Sequence, residues 1–146
     1  MSSGGPAMSN KAHFYEALWG VSSEEQSAQL LAEHVLGAPV AHTVVVLAHN
    51  GPTGLGGSPA DICGKDWGRP SGGDWGDADL EMGLAACPCV DVPLVVFGHM
   101  HHRTRGGGER KLVERRCAAF SYYDLHLLGV PITHVGCPSL RSRFFV

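Results

Sequence analysis

Two short runs of apolar, mostly β-branched residues constrain the fold most, because each leads straight into histidine. Residues 44–48 (VVVLA) run into His49, and residues 94–97 (LVVF) run through Gly98 into His99. An unbroken apolar run of this length predicts a strand that is buried on both faces, as in an α/β layer fold. Ligands of α/β proteins bind outside the carboxyl ends of the strands. Both runs therefore place histidine where a site is expected.

Helical patterns precede both predicted strands. Residues 22–37 (SSEEQSAQLLAEHVLG) carry leucine and valine at helical spacing, a capping-box pair in Ser22 and Glu25, and Gly37 as the stop. A second helix is predicted over DADLEMGLAAC, with Asp77 as its cap. A helix that joins two parallel strands brings their ends side by side. The pattern predicts the α/β class, with mostly parallel strands and covering helices.

The composition fits one domain with a hydrophobic core. Of the 146 residues, 44% are hydrophobic and 17% charged, which excludes wholesale disorder. The net charge of -3 does not favour general binding to nucleic acid or to an anionic membrane. No apolar run reaches about 18 residues, so no membrane span is expected. The five cysteines are irregularly spaced, which predicts reduced thiols rather than a disulfide framework.

The second strand is followed by a His-x-His pattern, His99 to His101, and then by His102. Imidazole binds Zn, Fe and Mn well, and two rings spaced in this way can reach two different ions. Two ions about 3.5–4 Å apart can hold a phosphate and activate a water molecule. An isolated pattern of this kind is more often a polar loop end. Because two separate strands end in histidine, a metal site is the favoured interpretation.

The motifs around these histidines resemble one protein family. GHMH, residues 98–101, resembles the last metal motif of the calcineurin-like metallophosphoesterases. AHNGPTGLG, residues 48–56, resembles the preceding histidine motif of a cyanobacterial and plant branch of that family. CGKDW, GGDWGDADL and PLVVFGHMHH are similar to further patterns of that branch. The resemblance covers roughly residues 28–114.

The resemblance implies a calcineurin-like layered sandwich, of which this chain would supply the C-terminal half. It implies that His49 and His99 bind one metal ion and His101 another, the ions being Mn, Fe or Zn. A metal-bound hydroxide would hydrolyse a phosphomonoester or phosphodiester substrate. His102 and Asn50, which each directly follow a histidine of these motifs, are the candidate catalytic residues. A cytoplasmic or plastid location is also suggested by the resemblance.

The family's N-terminal motifs, Asp-x-His, Gly-Asp-x-x-Asp and Gly-Asn-His-Asp/Glu, do not occur in the chain. We therefore expect an irregular segment at 1–21, the C-terminal half of a metallophosphoesterase domain at 22–114, and a tail at 115–146 that does not match the family. One ion or none is expected here, against two in the intact family. Three interpretations remain open: a phosphoesterase that is incomplete in this chain, an inactive metal-binding or interaction fragment, or a product without an independent stable fold. A half sandwich exposes a sheet face and an edge, which favours self-association.

The segment between the two histidine motifs is rich in glycine, aspartate and tryptophan. GPTGLGGS nearly fits a phosphate-binding P-loop, but Gly57 stands where lysine is required. A flexible loop beside the site, with N–H groups that could meet a phosphate, is the favoured interpretation. Trp67 and Trp75 either stack on an aromatic substrate or, as we favour, pin the loop by burial. Asp66, Asp74 and Asp79 are expected to be solvated, and the alternative is that one of them replaces a missing metal ligand. A solvated turn is also expected for the basic cluster that follows the His-x-His motif, and the alternative is a contact with phosphate. The cluster consists of Arg103, Arg105, Arg110 and Lys111.

Overall fold

A computed structural model describes residues 12–116 and 120–124 of the chain. Its elements in chain order are α1 (Ala12–Trp19), α2 (Glu24–Leu36), β1 (Val45–Ala48), α3 (Ala78–Ala85), β2 (Leu94–Phe97), β3 (Val113–Arg116) and β4 (Phe120–Asp124). The strands form one sheet in the order β1-β2-β4-β3. β2 pairs parallel with β1 on one side and with β4 on the other, and β3 pairs antiparallel with β4. The predicted α/β class, with a mainly parallel sheet, is confirmed.

The hydrophobic core lies between the sheet and two packed helices. The parallel register pairs Val46 with Val95 and Ala48 with Phe97, so these side chains point to the same face. That face meets α2 and α3, which pack against each other. The buried cluster that joins the layers includes Ala32, Val35, Val46, Leu80, Leu84, Val95 and Phe97. This packing holds the carboxyl ends of β1 and β2 in a fixed relation.

β1 differs from the prediction of a strand buried on both faces. Its side chains alternate, with Val46 buried, Val45 39% exposed and Leu47 76% exposed. The reason is that, among the described strands, β1 lies at the edge of the sheet, and the described helices cover only the face to which Val46 points. β2, which lies inside the sheet, follows the expectation, since Val95, Val96 and Phe97 are all buried.

Both helix starts differ in detail from the sequence prediction. α2 is capped by Ser23, whose hydroxyl accepts a hydrogen bond from the Gln26 N–H at 3.2 Å, and not by Ser22 with Glu25. Gly37 ends α2 as predicted. Asp77 stands at the N-cap position of α3, but its carboxylate makes no capping hydrogen bond. The contact that Asp77 makes instead belongs to the candidate site described below.

The two ends of the chain also carry more structure than the sequence indicated. The helix α1 lies within the segment 1–21, which was expected to be irregular, and its Phe14, Tyr15 and Trp19 rings contact one another. β3 crosses the expected boundary at residue 114, and β4 beyond it pairs with β2. No helix in the described residues is long and apolar enough to cross a membrane. Residues 1–11, 117–119 and 125–146 lie outside the described part.

Candidate metal and phosphoester site

The histidines that follow β1 and β2 meet at the carboxyl edge of the sheet. His49 Nε2 lies 3.0 Å from His99 Nδ1. The ring centroids are 4.8 Å apart and the ring planes are inclined by 65°. At this distance one imidazole donates its N–H to the lone pair of the other. The expectation that parallel strands bring these two residues together is confirmed.

The backbone after β2 turns sharply to place His99. The Gly98 N–H donates to the His49 carbonyl at 3.2 Å, and the Met100 N–H donates to the Gly98 carbonyl at 3.0 Å. His99 has a φ of 77°, in the left-handed region that side chains other than glycine rarely adopt. Such a conformation costs about 1–3 kcal/mol and is held here by the burial of Met100 in the next position. Strain of this kind clusters at functional sites.

Asn50, a candidate catalytic residue, is fully buried beside the pair. Its Nδ2 donates to the Trp75 carbonyl at 2.8 Å and to Asp77 Oδ1 at 3.2 Å. Its Oδ1 is buried and has no hydrogen-bond partner among the described residues. The side chain therefore links the histidine-bearing end of β1 to the residues that precede α3. A buried acceptor left unpaired costs about 1–3 kcal/mol, so its retention needs a reason.

Asp77 joins the site through Asn50, which sequence reasoning missed by treating it as a helix cap or loop acid. Burial raises the pKa of Asp77 from 3.8 to about 6; the Asn50 hydrogen bond and His49 act against this rise, whereas Asp79 and Glu24 add to it. The folded protein then binds a proton more tightly than the unfolded chain between about pH 4 and 6. The ionised carboxylate consequently lowers the free energy of unfolding progressively as the pH rises through that window. The only signal in the sequence was the place of Asp77 directly before the predicted helix. The neighbouring residues do not indicate that its side chain turns away from the helix.

His101 and His102 do not join the pair in one cluster. Within the described residues, no group of three or more histidine, cysteine, aspartate or glutamate side chains is arranged to hold a metal ion. His101 is exposed. His102 Nε2 lies 3.7 Å from the Glu109 carboxylate, and its buried Nδ1 has no hydrogen-bond partner among the described residues. The structure thus brings together His49 and His99, with Asn50 and Asp77, and leaves the other two predicted residues apart.

Arg110 is neither solvated nor available to a phosphate, contrary to both sequence interpretations. Its side chain is 1% exposed. Nε donates to the His101 carbonyl at 3.1 Å, and Nη1 donates to the carbonyls of Asp61 (2.9 Å) and Gly64. Nη2 lies 3.6 Å from the Asp66 carboxylate. Arg110 therefore fastens the loop after the His-x-His motif to the loop around residues 61–66.

The aspartates of the loops and of the first turn of α3 also accept hydrogen bonds from other parts of the chain. Asp74 accepts from the Gly76 N–H at 2.9 Å and from the Gly54 N–H. Asp61 accepts from the Ser58 N–H at 2.8 Å, and Asp79 accepts from the Ser27 hydroxyl. Asp66 accepts from the Arg105 N–H at 2.8 Å. Asp66, Asp74 and Asp79, which were expected to be solvated, therefore each close a turn or join two segments of the chain.

The loop at residues 51–58 is not arranged as a P-loop. The N–H groups of Gly54 and Ser58 are already bound to Asp74 and Asp61, so they do not present a ready anion nest. Trp67 and Trp75 contact each other edge to face, with centroids 5.3 Å apart, and the Lys65 ammonium lies over the Trp75 ring. Both indoles are half-buried. The Trp pair therefore closes the loop between residues 64 and 75, which favours the pinning interpretation.

Comparisons with known proteins give no match of any kind. No family model, no curated protein and no solved structure is similar to the chain at a significant level. The function proposed below is therefore based on the geometry of the site and on the motif resemblance.

Proposed function

We propose that this chain carries the histidine part of a metal-dependent phosphoesterase with a calcineurin-like layered fold. The observation that supports this most is the 3.0 Å approach of His49 Nε2 and His99 Nδ1 at the ends of adjacent parallel strands. Imidazole ligands at about 2.0–2.1 Å from one ion place their nitrogen atoms roughly 3 Å apart, so the pair fits two ligands of one divalent ion. Mn, Fe or Zn would suit this donor set.

The chain's own groups would bind and orient the ion and the substrate. His49 and His99 supply nitrogen ligands, and His101, which is exposed on the same loop, would reach a second ion or the substrate. When bound, a divalent ion lowers the pKa of a bound water molecule and stabilises negative charge on the phosphoryl oxygens. His102 and Asn50 remain the proposed catalytic residues, with the buried Asn50 side chain acting on the site through its neighbours. A phosphomonoester or phosphodiester is the proposed substrate class.

The alternative, an inactive metal-binding fragment, is favoured by one observation. The described residues bring two imidazoles together but provide no group of three or more ligands. Two nitrogen ligands hold an ion without building the two-ion centre that the family resemblance implies. The two proposals share the metal site and differ in turnover.

The first experiment measures bound metal and hydrolysis in the purified chain. We expect about one Mn or Zn ion per chain by mass spectrometry, lost in His49→Ala and His99→Ala because either change removes half of the ligand pair. Hydrolysis of p-nitrophenyl phosphate and of its bis ester should disappear with the ion. His42→Ala is the matched control, since His42 is exposed and lies before β1, at the other end of the strand.

Each outcome separates the proposals. Bound metal with hydrolysis supports the phosphoesterase, and His101→Ala then tests whether a second ion contributes. Bound metal without hydrolysis supports the inactive fragment. An ion retained in both pair variants would contradict the assignment of the site.

Self-association through the open side of the sheet is a further part of the proposal. In the described part of the chain β1 is an edge strand without charge or proline, and Val45 and Leu47 expose apolar surface there. Such an edge favours pairing with another strand. We expect a dimer in sedimentation velocity that Leu47→Lys converts to monomer. Leu36→Lys, the same change at an exposed leucine that ends α2, should leave the dimer intact. A wild-type monomer would refute this part.

A further inference from the structure

The chain directly after the second histidine motif forms a short hairpin. Residues 102–104 pair antiparallel with residues 108–110, with backbone hydrogen bonds of 2.8 Å and 3.0 Å. Extended backbone directs every second side chain to the same side. Burial alternates as this requires, because the side chains of His101, Arg103 and Arg105 are exposed and the two between them are half-buried. These three side chains therefore form one row, which starts at the histidine proposed to reach the substrate.

A buried ion pair fixes both ends of this row. Arg110 Nε donates to the His101 carbonyl at 3.1 Å, and the Asp66 carboxylate accepts from the Arg105 N–H at 2.8 Å. Arg110 Nη2 and the Asp66 carboxylate lie 3.6 Å apart, and their side chains are 1% and 11% exposed. The backbone of the row is therefore held in place before any ligand binds, which lowers the entropy cost of binding.

The guanidinium groups of Arg103 and Arg105 are not neutralised by the described part of the chain. Among the described residues neither side chain makes a hydrogen bond or a salt bridge. Glu109 faces Arg103 across the hairpin, but its carboxylate lies 3.7 Å from His102 Nε2. A Cβ added at Gly106 would meet no atom within 4 Å, so the surface beside the row is open. Two positive charges on one fixed and open side favour an anionic ligand.

The chemistry and the length of the row indicate which anion it would bind. Guanidinium groups bind phosphate through two parallel hydrogen bonds, which makes arginine a preferred phosphate ligand. Extended residues rise about 3.3 Å each, so the backbone of the row spans about 13 Å from His101 to Arg105. One phosphate group is too small to contact the whole row. A molecule with two separate phosphate groups matches its length.

We propose that Arg103 and Arg105 form a subsite for a second phosphate group of the substrate. The chain would then act on phosphoesters that carry a further phosphate besides the one that is cleaved. This inference rests on the proposed function where it assigns the cleaved phosphate to the His101 end of the row. The phosphate subsite itself requires no metal ion.

The test measures the binding of inorganic tripolyphosphate and of inorganic phosphate to the metal-free chain by calorimetry. We expect tripolyphosphate to bind at least tenfold more tightly, and its Kd to rise roughly tenfold in Arg103→Ala and in Arg105→Ala, since each loses charge-assisted hydrogen bonds. Arg103→Lys and Arg105→Lys keep the charge without the planar fork and should recover only part of the affinity. Lys111→Ala is the matched control, because the net charge changes equally and Lys111 Nζ already lies 3.4 Å from Asp61. Both arginine side chains are exposed, so these variants should keep the melting midpoint of the wild type.

The outcomes separate this inference from the proposed function. Tripolyphosphate binding that depends on the two arginines, in a chain that binds no metal ion, would support the subsite while the proposed function fails. In a chain that does hydrolyse phosphoesters, the KM for fructose 1,6-bisphosphate should be at least tenfold below that for fructose 6-phosphate, and equal values would contradict the substrate assignment. Absence of tripolyphosphate binding would overturn the inference. An equal loss of affinity in Lys111→Ala and Arg103→Ala would also overturn it, because the attraction would then come from net charge alone.

Discussion

Replacing Arg110 with alanine should lower the free energy of unfolding by about 3–5 kcal/mol, the range for breaking a buried ion pair by removing one partner. The guanidinium is buried and donates to three backbone carbonyls, those of His101, Asp61 and Gly64. Alanine would leave these acceptors unpaired and would leave the Asp66 carboxylate, 11% exposed, without its cation. Chemical denaturation followed by tryptophan fluorescence measures the change.

Arg105→Ala is the control for this substitution. The Arg105 side chain is exposed, and the contact that Arg105 makes with Asp66 uses its backbone N–H, which alanine retains. Its effect should stay within about 0.5 kcal/mol. Arg110→Lys keeps the charge but not the planar fork, so it should recover only part of the loss. Equal stabilities for Arg110→Ala and Arg105→Ala would show that the two loops are held together by other contacts.

The meeting of the histidines could be predicted from sequence because it depends on local patterns and one topological rule. The apolar runs fix where β1 and β2 end, and a helical connection between parallel strands places their ends side by side. The histidine that follows each strand then comes to the same edge of the sheet. Nothing beyond residue 102 is needed for this part of the site.

The rest of the site depends on contacts between segments that the local pattern does not specify. Arg110 lies in a basic, glycine-rich stretch that resembles a solvated turn, and its burial follows only from the carbonyls that loop 61–66 presents. Asp77 has the spacing of a helix cap, and its turn toward Asn50 follows from the burial of Asn50 between two segments. The sequence also did not show that β1, and not β2, would lie at the edge of the described sheet. β4, which pairs with the other side of β2, comes from the part of the chain with the least regular pattern.

Two of the site's features each oppose stability, and they lie within one small region. His99 adopts a left-handed conformation, and Asp77 is charged while largely buried. Proteins keep such arrangements where the surrounding packing holds them in place. In this chain the packing is supplied by Phe97, which is buried in the core two residues before His99 and also lies beneath the residue that follows Asn50. The close approach of the Gly51 backbone to the Phe97 ring should therefore affect both the stability of the fold and the geometry of the histidine pair.

Gly51→Ala should lower the free energy of unfolding by about 3 kcal/mol, the upper part of the range for overpacking a core. A Cβ at position 51 would lie 2.5 Å from the Phe97 ring and 2.6 Å from Cys63 Sγ. Both side chains are fully or almost fully buried and have no room to retreat. Either β2 or the segment from His49 must move, so the proposed metal binding should weaken in the folded fraction. Gly106→Ala, where an added Cβ meets no atom within 4 Å, should change stability by no more than about 0.5 kcal/mol. If Gly51→Ala proves as stable as Gly106→Ala in the same denaturation experiment, the ring of Phe97 does not pack against the His49 loop, and the histidine pair is not held by the core.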